Sequence, residues 1–203
     1  SITDMSSPSY TSSEVPENSE EQPAQFFLYT RPINDPVLGH ADNVEFQHWA
    51  LIAVFSDKSI RAMEGIQSGK ILVPRFSKEW PPPNSQTGNY WQLVALKISQ
   101  KNLQEVALNN PFNGTSYNLI NNNCQHWAKA AAEAISLELA NSLDEYDTSD
   151  QVPIAVQTIL ATWASSQAIG STLSDDTLSD ESSRAILSAL LKLAEAGWST
   201  VEQ

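Results

Sequence analysis

The chain is poor in cysteine, poor in positive charge and without a long apolar run, and each shortage removes a class of function. A single cysteine in 203 residues leaves no intramolecular disulfide framework and no cysteine-rich zinc site. The thiol is then either a buried structural group or a reactive one. Three histidines add too few ligands for a metal centre, which takes three or four converging donors; no metal and no other cofactor is expected. Lys and Arg number 11 against 24 Asp and Glu, a net charge of −13, which repels nucleic-acid phosphates and anionic membrane surfaces. No stretch reaches the roughly 20 consecutive apolar residues of a spanning helix. No basic segment followed by an apolar one opens the sequence as a secretory leader does. The expectation is a soluble, cytoplasmic protein, with a leader already cleaved as the alternative because the sequence starts at Ser1.

What is present is organised from the middle outward. Residues 1–24 are Ser, Thr, Pro and Glu with no Lys or Arg, a composition that predicts a disordered acidic tail. From Gln25, "QFFLYTRP" predicts a first strand closed by Pro32, and "INDPVLGHADN" a loop. Residues 46–55 predict a strand, "SDKS" a turn and "IRAMEGI" the returning strand of a hairpin. "KILVPRF" is broken by Pro74, which marks an edge strand or a strand end, and "YWQLVALKIS" is the clearest strand pattern in the chain. Ser99 is placed to cap a short helix through about Leu108.

The last third is helical in pattern. "CQHWAKAAAEAISLELANSL" predicts one helix of about five turns, started by the Asn cluster at 121–123. "LDEYDTSDQVP" reads as an acidic linker, residues 154–169 as a helix and "GSTLSDDTLSDESS" as a second breaker. "SRAILSALLKLAEAGW" predicts a last helix stopped by Gly197. Strands in the middle and helices behind them predict an α+β protein: a tail over 1–24, a domain over 25–143 and a helical extension over 144–203.

The word Gln-His-Trp-Ala occurs twice, at residues 47–50 and 125–128, and the neighbourhoods separate the copies. Cys124, just before the second, falls in the first turn of the predicted helix. There the free amides and the positive end of the helix dipole stabilise a thiolate and offer donors to an oxyanion. His126 lies two residues on, a rotation of roughly 200 degrees, so it faces away from Cys124 and reads as a capping or packing residue. His48 opens a strand and is the better general base. Asn122 and Asn123 read as caps, with Asn123 also shaping the substrate site. Gln92 is either a donor near the carbonyl or an outward-facing strand residue. Trp49, Trp91 and Trp127 read as core anchors, with Trp49 also a candidate substrate contact. Trp198 is a candidate exposed anchor for a protein partner.

"QHWALIAV" before a hairpin, and then "YNLINNNCQHW" opening a helix, resembles the permuted papain-like thiol enzymes. These are the lecithin:retinol acyltransferase-like group, the PPPDE-type isopeptidases and, more distantly, the NlpC-type cell-wall peptidases. In the first two groups a histidine-bearing apolar strand precedes an Asn-Cys-x-His-aromatic helix start, the reverse of papain's order. His48, Asn123, Cys124, His126 and Trp127 match, and the resemblance covers roughly residues 25–141. It implies a circularly permuted papain-like fold: an antiparallel sheet packed on the cysteine-bearing helix, with additional C-terminal helices.

The implied chemistry is thioester formation by Cys124 on a small-molecule, lipid or peptide carbonyl, with His48 moving the proton. Water then gives hydrolysis and another acceptor gives acyl transfer. The acyltransferase-like group tends to carry a further histidine on the strand after the first; "SIRAMEGI" has none, and Glu64, or Gln67, takes the place of the group that orients His48. Two other readings remain: an isopeptidase acting on a protein modifier, and a non-catalytic adaptor that recruits a protein partner through its C-terminal helices.

Overall fold

In QHWALIAVF, residues 47–55, every side chain after the first is buried. A strand of this kind has to be covered on both faces, and the fold is built around it. The computed structural model describes residues 17–32, 34–35, 39–40, 47–82, 88–118, 123–148 and 180–202. In chain order these form β1 (Gln22–Pro32), the two-residue strands β2 (Asn34–Asp35) and β3 (Gly39–His40), β4 (Gln47–Phe55), β5 (Ile60–Ser68), β6 (Ile71–Ser77) and β7 (Asn89–Ile98). The helices are α1 (Gln100–Leu108), α2 (Cys124–Ile135), α3 (Leu137–Thr148) and α4 (Asp180–Val201). β2 and β3 pair with each other. The other five strands form one antiparallel sheet in the order β6-β5-β4-β1-β7. The class is α+β, with four helices among the described residues.

Alternation along the central strands sends successive side chains to two separate cores. Phe26, Leu28, Trp49, Leu51, Ala53 and Met63 pack on one face with Leu103 of α1, Trp127 and Ala131 of α2, and Leu139 and Leu143 of α3. Phe27, Tyr29, Ala50, Ile52, Val54 and Ala62 pack on the other with Ile186, Leu190 and Ala194 of α4. The sheet is therefore the middle of three layers, which explains why β4 shows no polar face in its sequence. No helix among the described residues is long and apolar enough to cross a membrane.

Two tight connections fix the registers that matter. Between β4 and β5 the turn closes with the Phe55 amide donating to Ser59 (2.9 Å) and Lys58 at φ 68°. Between β5 and β6 only Gly69 and Lys70 intervene, with Gly69 at φ 61°, a left-handed geometry that glycine adopts without a Cβ penalty. Ser68 then lies opposite Ile71, which sets Glu64 opposite Arg75. β6 is an outer strand, as Pro74 predicts. Its free rim is bonded by a passing segment: Leu72 donates to Thr115 (2.9 Å), Gly114 to Leu72 (2.8 Å) and Tyr117 to Lys70 (2.8 Å).

Several expectations need correction. The predicted acidic tail ends too late, because β1 already begins at Gln22 and Glu17 is buried, its carboxylate paired with Arg61 (3.1 Å) and Lys78 (2.9 Å). Ordering there is driven by that ion pairing, which an apolar count does not register. The single five-turn helix is two: Ser136 has extended backbone (φ −166°, ψ 154°), and its hydroxyl accepts the Leu139 amide (3.0 Å), capping a new helix. α3 then runs on to Thr148, into the residues read as an acidic linker.

α3 and α4 are layers of the body rather than an extension, since both contribute to its cores. Gly197 does not stop α4; it is buried within it, and a Cβ there would overlap the Gln25 side chain, coming within 2.9 Å of Cδ. Trp198 is not an exposed anchor, because its indole N–H donates to the Val54 carbonyl (2.8 Å). The helix expected over 154–169 lies outside the described residues.

Candidate active site

The ladder between β4 and β5 covers only Leu51 to Val54, whereas β1 flanks β4 along its whole length. At the start of β4 the sheet therefore forks, and backbone groups on the β5 side of β4 need partners from elsewhere. The N-terminus of α2 supplies them. The Gln47 carbonyl accepts from Gln125 Nε2 (2.9 Å) and lies 3.7 Å from Cys124 Sγ, while the Trp49 amide donates to the sulfur. The helix can come this close because β5 carries Gly65 beneath it: a Cβ there would sit 2.7 Å from Trp127 Cβ.

Asn123 starts α2 as predicted. Its backbone is extended (φ −127°, ψ −175°) and its side chain accepts the amides of Gln125 (2.9 Å) and His126 (3.3 Å), while His126 Nδ1 faces the Asn123 amide at 3.3 Å. The second Gln-His-Trp-Ala thus completes a capping box. Asn123 is structural, and its carboxamide occupies two of the first-turn amides that an oxyanion would otherwise use. The Cys124 amide has no hydrogen-bond partner among the described residues. Asn123→Ala is expected to lower the unfolding free energy by about 0.5–2 kcal/mol, read as a lower urea midpoint with an unchanged slope.

The fork brings the three expected groups together. His48 hydrogen-bonds Cys124, and its Nε2 lies 3.4 Å from Glu64 Oε1. With Nε2 turned to the carboxylate, Nδ1 is the ring atom left for the sulfur. Burial by itself disfavours the imidazolium, but the hydrogen bonds and charges of Cys124 and Glu64 outweigh it and raise the His48 pKa to about 9. Burial likewise pushes the Cys124 thiol up, yet the His48 hydrogen bond and charge, with the Trp49 amide, bring it below its ordinary value. Glu64 follows the same pattern: burial raises its carboxyl, and His48 and Arg75 together hold it low. The state these shifts favour is thiolate, imidazolium and carboxylate in a row.

Cys124 is 3% exposed and His48 8%, but polar groups surround the sulfur and it opens onto a cleft of about 330 Å³ lined in part by Arg31, His48, Gln67, Arg75, Tyr117 and Cys124. Arg75, which bonds Glu64, was not singled out in the sequence. The two-residue turn at Gly69 and Lys70 was the available signal, because it dictates which residue faces Glu64. Tyr117 had no signal, since backbone bonds to β6 deliver it.

Two sequence candidates lie elsewhere. Gln92 sits on β7 opposite Phe27, across β1 from β4, and lines a separate depression with Glu138, Asn141 and Glu145. Trp49 is fully buried, with its ring 5.6 Å from that of Tyr146 and the Lys129 ammonium 5.7 Å from its centroid; only its backbone amide serves the site. Gln67 is exposed and donates to the Gly69 carbonyl (3.0 Å), so Glu64 is the partner of His48. No group of three or more His, Cys, Asp and Glu is arranged to hold a metal among the described residues.

No family model matches this chain, and no curated protein or solved structure does.

Proposed function

We propose that the protein is a thiol-dependent hydrolase or acyltransferase of permuted papain-like fold, acting on amide, ester or peptide carbonyls through Cys124. The observation that carries this reading is the hydrogen-bonded row Cys124, His48, Glu64 at the floor of an open cleft. A merely structural cysteine sits among hydrocarbon and titrates high. Here the sulfur touches an amide donor and an imidazole, and its pKa is lowered. The chain order, histidine strand before cysteine helix, and the antiparallel sheet against that helix support the permuted fold.

In this mechanism the Cys124 thiolate attacks the carbonyl carbon, and the resulting oxyanion takes the Cys124 amide as a donor. The intermediate collapses to a thioester as the His48 imidazolium gives its proton to the leaving group. Neutral His48 then accepts a proton from water or another acceptor, which attacks the thioester and restores the thiolate and imidazolium. Glu64 keeps the ring oriented and favours its charged form, and Arg75 keeps Glu64 ionised.

The pH dependence follows from the signs. Lowering the thiol pKa keeps the nucleophile charged below the ordinary thiol range, while turnover falls as pH rises through about 9, where His48 loses the proton the leaving group needs. Iodoacetamide labelling of Cys124 is thus expected to decline less than that of glutathione as pH is lowered from about 8.5, the usual thiol pKa, toward neutrality. Acid-quenched reaction with p-nitrophenyl acetate should leave an acetyl group on Cys124 by mass, and none on the Cys124→Ser protein under the same quench. A glutathione-like labelling profile together with no acetyl adduct overturns the proposal.

A further inference from the structure

We infer that the cleft takes an extended peptide, whose backbone pairs with the inner edge of β5 at Gly65 and Gln67 while Cys124 attacks one of its carbonyls. The inference rests on the thiol reading above and names the class of substrate. Leu72 donates its amide to Thr115 and accepts the Gly114 amide at its carbonyl, so both of its backbone groups face away from β5. Gln67 lies opposite Leu72 and is therefore at a non-bonded position of the β5–β6 ladder. Two residues back, Gly65 opposite Pro74 is at another. The N–H and C=O of both residues point the other way, into the fork where β4 has parted from β5.

On that side the ladder stops at Leu51 and Met63. Continued in register, Trp49 would face Gly65 and Gln47 would face Gln67. Instead the Trp49 amide donates to Cys124 Sγ and the Gln47 carbonyl accepts from Gln125 Nε2. The helix start is a wedge that satisfies β4 alone. Among the described residues, the backbone groups of Gly65 and Gln67 have no partner on the fork side, and both residues line the cleft with His48 and Cys124.

Backbone groups left without partners are costly. An extended peptide presents N–H and C=O along one edge at every second residue, the spacing from Gly65 to Gln67, and so pairs as an added strand does. An acyl chain leaves the same groups unpaired. Because the sulfur is bonded to the residue that continued register puts opposite Gly65, a peptide lying along Gly65 runs past it.

Chloromethyl ketones test this, since the thiolate bonds to the methylene carbon and chloride leaves. Three reagents share that group: chloroacetone, an N-acetyl-trialanyl chloromethyl ketone, and a chloromethyl ketone with a plain alkyl tail of the same length. With each rate divided by that of glutathione, the trialanyl reagent is expected to exceed chloroacetone by about tenfold or more and to exceed the alkyl reagent, the gain from two or more backbone hydrogen bonds. Methylating its amide nitrogens is expected to lower its rate by roughly two- to tenfold for each bond lost. Gln67→Pro removes one fork-side amide and no β5–β6 bond, and the trialanyl to chloroacetone ratio is expected to fall by a similar factor. Gln67→Ala keeps that amide and is expected to keep the ratio.

An equal advantage for the alkyl reagent assigns the cleft to acyl chains and overturns the inference, and so does an N-methylated reagent that reacts as fast as its parent. An equal fall in Gln67→Ala and Gln67→Pro assigns the preference to the side chain and also overturns it. If the proline variant does not fold, the N-methyl comparison on the unaltered protein decides. Each of these outcomes leaves the thiol reading intact so long as chloroacetone reacts faster with Cys124 than with glutathione at neutral pH. Slow reaction with all three reagents removes the thiol reading, and the inference with it.

Discussion

His48→Ala is expected to slow iodoacetamide labelling of Cys124 at pH 7 by roughly 10- to 100-fold and to lower turnover by about 10²–10⁴-fold. Cys124 is 3% exposed, and burial is the largest influence on its pKa, acting upward. Without the imidazole only the Trp49 amide remains to favour the thiolate, against the negative charge of Glu64. The thiol pKa should therefore move above its ordinary value rather than merely return to it, and the labelling rate plotted against pH should shift to the alkaline side. Because Glu64 keeps Arg75 as a partner, the carboxylate is not left alone and the variant is expected to fold. A labelling profile identical to that of the wild type would show that the thiolate owes nothing to His48.

Trp127→Ala is expected to cost about 3–5 kcal/mol of unfolding free energy, or a drop in melting temperature of roughly 6–20 °C for a chain of this size. Trp127 is fully buried, covers Gly65 and donates its indole N–H to Asn113 Oδ1 at 2.7 Å. Alanine empties the space over β5 and strands a polar acceptor, so the cavity and the lost hydrogen bond add. The residue lies one turn after Cys124 and its amide bonds the Asn123 carbonyl at 3.1 Å, so slackness there is transmitted to the helix start. Calorimetry measures the first effect and loss of the low-pH labelling of Cys124 the second. A loss under about 1 kcal/mol, the scale of an ordinary surface substitution, would contradict this packing.

The sheet was largely legible because each strand announces itself locally: aliphatic and aromatic runs closed by Pro32, by "SDKS" and by the loop before Tyr90. Pro74 identified an outer strand through its missing amide. Cys124 at a helix start and His48 at a strand start were legible for the same reason, and Glu64 was within reach once the hairpin was assumed. What failed depended on partners distant in sequence. Gly197 reads as a helix stop unless Gln25 is known to press on it, and Gln92 reads as a site residue until β1 is inserted between β7 and β4. Arg75 required a turn length to be converted into a register. The ordered stretch from Glu17 required two cations, Arg61 and Lys78, from other parts of the chain.

The bonds that the 114–117 segment makes along β6 have an effect beyond the site. An outer strand with vacant amides invites foreign strands to extend the sheet, and here that invitation is withdrawn on the side where substrates enter. Lys70 and Leu72 are already engaged and Pro74 has no amide to offer, so an extended polypeptide finds no continuous ladder along the first half of β6. The longer outer strand, β7, lies at the opposite end of the sheet from the cysteine.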